Sequence, residues 1–466
     1  MSKTLPISIL VFLSGGKLSC SFRNGLLDYL CGMLILLDCR PLQNAGYGVD
    51  NERSLLILST AALLSAEQAV KWLYLVDHTY RPGDLPGLPD SLHGLPDSLP
   101  GLPDDAGNAG GNAVVITRRA FPGWTGWRIW YDGQIPRLAK KYRADLVMTT
   151  AGIATSSLRI PQCVWMPERA NPGEAKKKGA SQKGAPPYSA SYAARLAESL
   201  FRAAAIFCFS EKDKAFLAGR TPGPADDKII VLSPVADAAS IPLSTEEKEK
   251  VKADYAGGKE YFLAAIPAIG QNAIGQKESA GQKDLINLLK AFSLFKKRQR
   301  SNMQLILIGQ PGISDRSDRG AQPGRSSHGP DGELAEKLAT YKYREEVHWF
   351  EGRPEDQSRI TAAAYAVLFP FGGGALGMAL LSAWKAEVPV IVPAAGPLPE
   401  IAGEAALSGS PDNPTQLATQ LMLLYKDEAL RRDLIEKGKT RLRSFSGERP
   451  ADAVWRGIRM AARKDQ

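Results

Sequence analysis

VLFPFGGGALGMALLSAWKAEVPVIVPAAGPLPEIAG, residues 367–403, is the stretch on which the fold turns. It opens on an apolar run, Val367 to Pro370, with the composition of a strand buried on both faces of a parallel sheet. A glycine-rich turn follows, with Gly372, Gly373, Gly374 and Gly377. Met378 to Lys385 then has helical character, and Pro389 to Pro393 reads as the next buried strand. Strand, glycine loop and helix bring backbone N–H groups and the positive end of a helix to one point, which suits a phosphate. Glycine-rich turns between strand and helix also occur with no ligand, so a phosphate cradle and a plain turn both fit the local sequence.

Outward from that stretch, 466 residues are too many for one ordinary core, and two domains with insertions are expected. Apolar content of 44% and charged content of 23% belong to a globular chain, with no run near the roughly 20 apolar residues of a membrane span. The five cysteines, Cys20, Cys31, Cys39, Cys163 and Cys208, are scattered without metal spacing, which fits a reduced, cytoplasmic setting. Four histidines with no paired spacing argue against a zinc enzyme. The formal charge of +9 is compatible with nucleic acid, an anionic membrane surface or no specific partner. No aromatic-plus-basic motif of an RNA-binding module is present, so nucleic acid is not expected. Arg137, Lys140, Lys141 and Arg143 on one helix read as a polar face, or at most as a peripheral contact with lipid headgroups at the inner membrane.

Strand-like and helix-like segments alternate along the chain in two blocks, the signature of α/β domains with parallel sheets. In the first block, Glu52 to Lys71 is an amphipathic helix, and Trp72 to Val76 and Val114 to Thr117 are strands. Between those strands lies an insertion, 82–112, whose Gly-Leu-Pro-Asp units recur about every seven residues. It is too rich in Pro and Gly for a helix and is expected to be disordered. Trp127 to Lys141 reads as a helix whose Trp127, Trp130 and Tyr131 could stack on a sugar, although their helical spacing favours core packing. Ala144 to Thr149, Gln162 to Met166, Ile206 to Phe209 and Lys228 to Leu232 continue the sheet, and Pro234 to Thr245 reads as a hinge. The second block has strands at Tyr261 to Ala265, Gln304 to Gly309 and Val347 to Gly352, with a helix at Leu285 to Lys296.

Pro389, Val390 and Ile391, then Leu398, Pro399 and Glu400, then Gly403, Ala405 and Ala406 form a recognisable series. It resembles the donor-sugar half of the retaining, family 4-type glycosyltransferases of GT-B fold, the glycosyl transferases group 1. Their pattern runs Glu-Gly-Phe-Gly-Leu-Pro-x-x-Glu-Ala, Gly-x-Pro-Val-Ile, then Leu-Pro-Glu-x-x-Gly-Asp-Ala-Ala. Gly377 falls on the second glycine of the loop, while the two motif glutamates fall on Gly374 and Ser382. The strand at Met33, the turn Asp38, Cys39 and Arg40, and Gly46-Tyr47-Gly48 are similar to the family's first strand and glycine loop, which lies beside the acceptor and the donor phosphates; an ordinary strand-to-helix turn fits the same residues. Lys283 matches the lysine of the family's diphosphate-gripping pair, and Gln282 replaces its arginine. The family's His-Asp after a first-domain strand becomes Pro167 and Glu168.

The resemblance implies two Rossmann-like domains with parallel sheets facing a cleft. Residues 1–32 would be a disordered extension, and 33–235 the acceptor-side domain with insertions 82–112 and 173–187. The nucleotide-sugar side would be 236–449 with insertions 267–281 and 310–333, and 450–466 a helix crossing back to the first domain. The implied function is transfer of a sugar from a nucleotide-sugar to a hydroxyl of a glycan or lipid-linked acceptor, with retention and without metal or cofactor. Donor-binding candidates are Lys283, Gly374, Leu376, Gly377, Met378 and Ser382, with Gly46 and Gly48 on the acceptor side and Glu168 as the catalytic candidate. Loss of both glutamates supports the alternative, a catalytically impaired homologue that binds a partner such as another glycosyltransferase.

Overall fold

In the computed structural model the described residues are 33–42, 49–68, 70–77, 92–93, 112–117, 123–166, 190–219, 224–237, 239–265, 280–308, 338–350, 354–370, 377–396, 398–445 and 447–463. They form two units, the first drawn from 33–42, 53–233 and 448–463, the second from 49–52 and 234–447. The extension 1–32 and the insertions 173–187 and 310–333 lie outside the described residues, as does 267–281 up to residue 279.

The first unit carries strands β1 (Leu34–Asp38), β2 (Lys71–Asp77), β3 (Leu92–His93), β4 (Ala113–Thr117), β5 (Leu146–Thr149), β6 (Gln162–Trp165), β7 (Ala205–Cys208) and β8 (Ile229–Val231). All pair in parallel, in the order β3-β4-β2-β1-β5-β6-β7-β8. The second unit carries β9 (Tyr261–Ala265), β10 (Gln304–Ile308), β11 (Val347–Phe350), β12 (Ala366–Leu368), β13 (Val390–Pro393) and β14 (Leu407–Gly409), again all parallel, in the order β11-β10-β9-β12-β13-β14.

The near-continuous apolar strands follow from burial on both faces. Tyr261 and Leu263 of β9 join Ile306, Val367, Val390 and Trp384 in one core layer. The alternate residues Phe262 and Ala264 join Leu305, Leu368, Ile391 and the helix residues Leu288, Phe292 and Phe295 in the other. Period-two side chains thus feed two cores from one strand, each fully buried leucine or phenylalanine contributing about 1.5–3 kcal/mol. The helix Thr245–Ala256 that leads into β9 starts at a capping box, with Ser244 Oγ accepting from Glu247 N and the Glu247 carboxylate accepting from Ser244 N.

Several sequence expectations are adjusted by the packing. The first helix runs Val49–Gln68, and Lys71, expected at its end, already begins β2. Within the insertion 82–112, expected to be disordered, Leu92 and His93 pair with Val114 and Val115 as the edge strand. Its last residue, Asn112, accepts from Trp72 N at 3.0 Å and is bonded to Ser65. The helix expected from Leu285 starts earlier, at Ala280, so Lys283 stands in its first turn rather than in a preceding loop. The segment expected as one helix from Trp127 to Lys141 is interrupted by a π-helical turn, Ile129–Gln134. The final helix, Pro450–Arg463, packs on the first sheet, with Gly457 against Phe207 and Ile230.

Candidate functional site

In the second sheet the chain moves outward from β9 to β10 and β11 on one side, and from β12 to β13 and β14 on the other. Neighbouring strands β9 and β12 therefore flank a topological switch point, where helices leave in opposite directions and open a crevice at the carboxyl ends of the strands. Because every strand is parallel, the helix after each begins at that same edge. The helix after β9 is Ala280–Gln299 and the helix after β12 is Met378–Lys385. Their first turns hold Lys283 and, at the N-cap, Gly377.

Lys283 is exposed, and its Nζ lies 2.8 Å from Asp412 Oδ1, on the turn that follows β14. Both partners are more than half exposed, so the pair holds at most about 1 kcal/mol and an incoming phosphate can compete for the ammonium. One turn later, Asn287 Nδ2 donates to Pro411 O at 3.0 Å and fixes the helix to the same turn.

Gly377 has φ 91°, and a Cβ there would come 2.6 Å from Ile401 Cδ1. Both the backbone angle and the close approach call for glycine. Gly377 has no side chain, so it makes no side-chain cap to the helix that follows. Met378 is the first residue of that helix. Gly374 and Leu376, on the preceding loop, lie outside the described residues, as do Gly46, Gly48 and Glu168.

Ser382 sits where the ribose-holding glutamate was expected, and the structure gives its hydroxyl another occupation. Oγ donates to Met378 O at 2.8 Å and accepts from Asp237 N at 2.9 Å. A hydroxyl has one proton and two lone pairs, so one acceptor position is left for a ligand. Asp237 Oδ2 accepts from Ser358 Oγ at 2.8 Å and Asp237 O accepts from Lys385 Nζ at 2.9 Å. The segment read from sequence as a hinge is thus sewn to two helices of the second unit. Sequence reasoning missed Asp237, Ser358 and Lys385, because their meeting joins positions more than a hundred residues apart. No local pattern signals such a contact.

The first unit has its own switch point, between β1 and β5. Asp38 ends β1 there, fully buried, and its Oδ2 accepts from Trp130 Nε1 at 3.1 Å and from Tyr131 OH at 3.2 Å. Burial raises the Asp38 pKa, and the hydrogen bonds and Arg40 oppose that rise. Trp130 and Tyr131 are both 4% exposed, so the core packing favoured by their spacing is what the fold uses. Cys39, Cys163 and Cys208 are buried free thiols whose pKa burial pushes up, to about 12 for the last two, so none is a thiolate nucleophile. Among the described residues, no helix is long and apolar enough to cross a membrane.

Residues 277–441, most of the second unit, match the family model for Glycosyl transferases group 1. A glycosyltransferase from Rickettsia africae ESF-5 superposes with TM-score 0.60 at 14% identity, covering 93% of this chain and 100% of that one. The fold is GT-B. WaaG, a glycosyltransferase involved in lipopolysaccharide biosynthesis, shares this GT-B fold at TM-score 0.59 and 14% identity, over 91% of this chain and 98% of its own. Anabaena Alr3699/HepE in complex with UDP gives TM-score 0.59 at 13% identity, over 93% of this chain and 99% of its own. No curated protein sequence matches the GT-B chain at a significant level. The family match spans Lys283, Gly377, Met378 and Ser382, so the switch point of the second sheet falls within it.

Proposed function

We propose that this protein transfers a sugar from a nucleotide-sugar to a hydroxyl of a glycan or lipid-linked acceptor. The observation that carries this is the coincidence of the Glycosyl transferases group 1 match with the switch point flanked by Lys283 and Gly377. A relative of the same fold holding UDP supports a nucleoside diphosphate as the leaving group. In the reaction the bond from the sugar C1 to the diphosphate oxygen breaks and a bond from C1 to the acceptor oxygen forms. Charge grows on the departing diphosphate. Lys283 and the amides of the helix beginning at Met378 neutralise it, which is the largest electrostatic demand of the step. With Gly374 and Ser382 supplying no carboxylate, the acceptor's proton passes to the diphosphate itself, on the face it leaves, and the product keeps the anomeric configuration.

A second reading, a homologue that binds the nucleotide-sugar without turnover, is favoured by the commitment of the Ser382 hydroxyl to Asp237 and Met378. Calorimetric titration with UDP, GDP and ADP, repeated on Lys283→Ala, tests the shared step. Binding of one nucleotide, weakened about tenfold or more by Lys283→Ala, is expected. Failure to bind any nucleotide contradicts both readings. Release of free nucleotide from its cognate nucleotide-sugar in the presence of acceptor separates them.

A further inference from the structure

We propose that the amino edge of the first sheet, where β6, β7 and β8 begin, holds a pocket for a phosphate or a small phosphate ester. The pocket has a volume of about 230 Å³ and is lined by Arg159, Arg202 and Lys228, with Pro161, Ala203 and Ala461 among its apolar walls. Three cations meet there, and among the described residues no carboxylate lines the space. Pockets for drug-sized ligands run to about 300–1,000 Å³, so the occupant is small. Three positive groups around a small space select an anion of more than one negative charge, and a phosphate supplies that with several acceptor oxygens. All strands of the sheet run away from this edge. The pocket therefore lies a strand's length, roughly 13 Å, from the carboxyl edge where α/β sheets take their substrates.

The connection from β5 to β6 builds one wall. No helix forms across 150–161, and an irregular segment brings the chain back to the amino edge. Gln162, 6% exposed, clamps that segment: its Nε2 donates to Thr155 O at 2.9 Å and its Oε1 accepts from Thr155 N at 2.8 Å. Ser156 Oγ donates to Asp132 Oδ1 at 3.0 Å, and Ser157 Oγ donates to Asp132 O at 3.2 Å. Arg159 is thus carried on a segment pinned on both sides of it. Its side chain is exposed and makes no ion pair among the described residues. Arg202 ends the helix Ala190–Arg202, and Lys228 immediately precedes β8. A cation at a helix end complements the negative pole there, which accounts for Arg202. It does not account for Arg159 or Lys228, which end no α-helix. Lys228 Nζ donates to Phe201 O at 3.3 Å and Arg202 Nε to Glu198 Oε1 at 3.1 Å, both in exposed contacts. Water screens such contacts, and they yield to a stronger acceptor. The sugar-transfer reading uses none of these residues, and the pocket stands without it.

The test is a titration of the full-length protein with inorganic phosphate, followed through the Arg159 and Arg202 Nε–H signals in nitrogen–proton NMR spectra. Both signals are expected to shift saturably with phosphate and not with chloride at equal ionic strength. Arg159→Gln and Lys228→Gln should each weaken binding about tenfold when it is read on the Arg202 signal. Lys283→Ala, in the other unit, should leave the titration unchanged, so that phosphate at the proposed donor site is read apart. Absence of a saturable shift, an equal response to chloride, or an Arg202 response that neither Arg159→Gln nor Lys228→Gln weakens overturns the pocket. So does a response lost in Lys283→Ala. A parallel titration with glycerol 3-phosphate separates the sources of the anion: equal or tighter binding assigns a phosphate ester, and exclusion of the ester assigns the free ion.

Discussion

Gly377 combines two demands on one residue: a positive φ and a Cβ position already occupied by Ile401 Cδ1. Gly377→Ala is therefore expected to cost about 1–3 kcal/mol in urea unfolding. Ile401→Ala in the same chain relieves the contact but not the backbone strain, so the double variant should recover only part of the Gly377→Ala loss. Full recovery would place the whole effect in the side-chain clash, and an unchanged midpoint for Gly377→Ala would show that the angle is not required. Asp38 gives a pH-dependent counterpart. Its folded pKa lies above the ordinary value of 3.8, so the fold binds the proton more tightly than the unfolded chain does. The associated stability is present below the ordinary value and is lost as pH rises through the folded one. Unfolding of Asp38→Asn compared with the parent at about pH 4 and about pH 7 should show the variant gaining relative stability with pH. A flat or falling difference would contradict a raised pKa.

At the level of elements, one substitution should act with opposite sign in two helical segments. Gly133 lies in the π turn, where an added Cβ meets nothing within 4 Å. Gly457 lies in the final helix, where an added Cβ would meet Phe207 Cζ at 2.7 Å and Ile230 Cδ1 at 2.9 Å. Alanine is favoured over glycine in a helix by about 1 kcal/mol, so Gly133→Ala should stabilise by up to that amount. Gly457→Ala should destabilise by about 1–3 kcal/mol, because the ring lies in a buried strand that has no room to yield. Urea melts of both variants check this, and equal signs would contradict it. Elements of this kind were readable from sequence where periodicity was strong. Met378–Lys385 and Tyr261–Ala265 begin and end where the pattern places them. The π turn was not readable, since Trp127, Trp130 and Tyr131 keep ordinary helical spacing through it. Nor was the strand at Leu92–His93, whose two residues sit among prolines and are fixed by pairing with β4.

Across the whole molecule, parallel sheets in two units were legible because buried parallel strands are apolar without alternation, and this chain repeats that pattern from Leu34 to Val392. Lys283 and Gly377 were legible as positions after the strands that flank the switch point. The partner Asp412 of Lys283 and the partner Asp237 of Ser382 were not, since each pairing is set by tertiary packing across well over a hundred residues. The central claim is that a nucleoside diphosphate binds at the switch point of the second sheet. Amide hydrogen exchange with and without saturating UDP measures it directly. Slower exchange is expected in the first turns of the helices Ala280–Gln299 and Met378–Lys385, with Lys283→Ala reducing the effect in both. Protection confined to the first unit, or none at these two turns while UDP is bound, would contradict it.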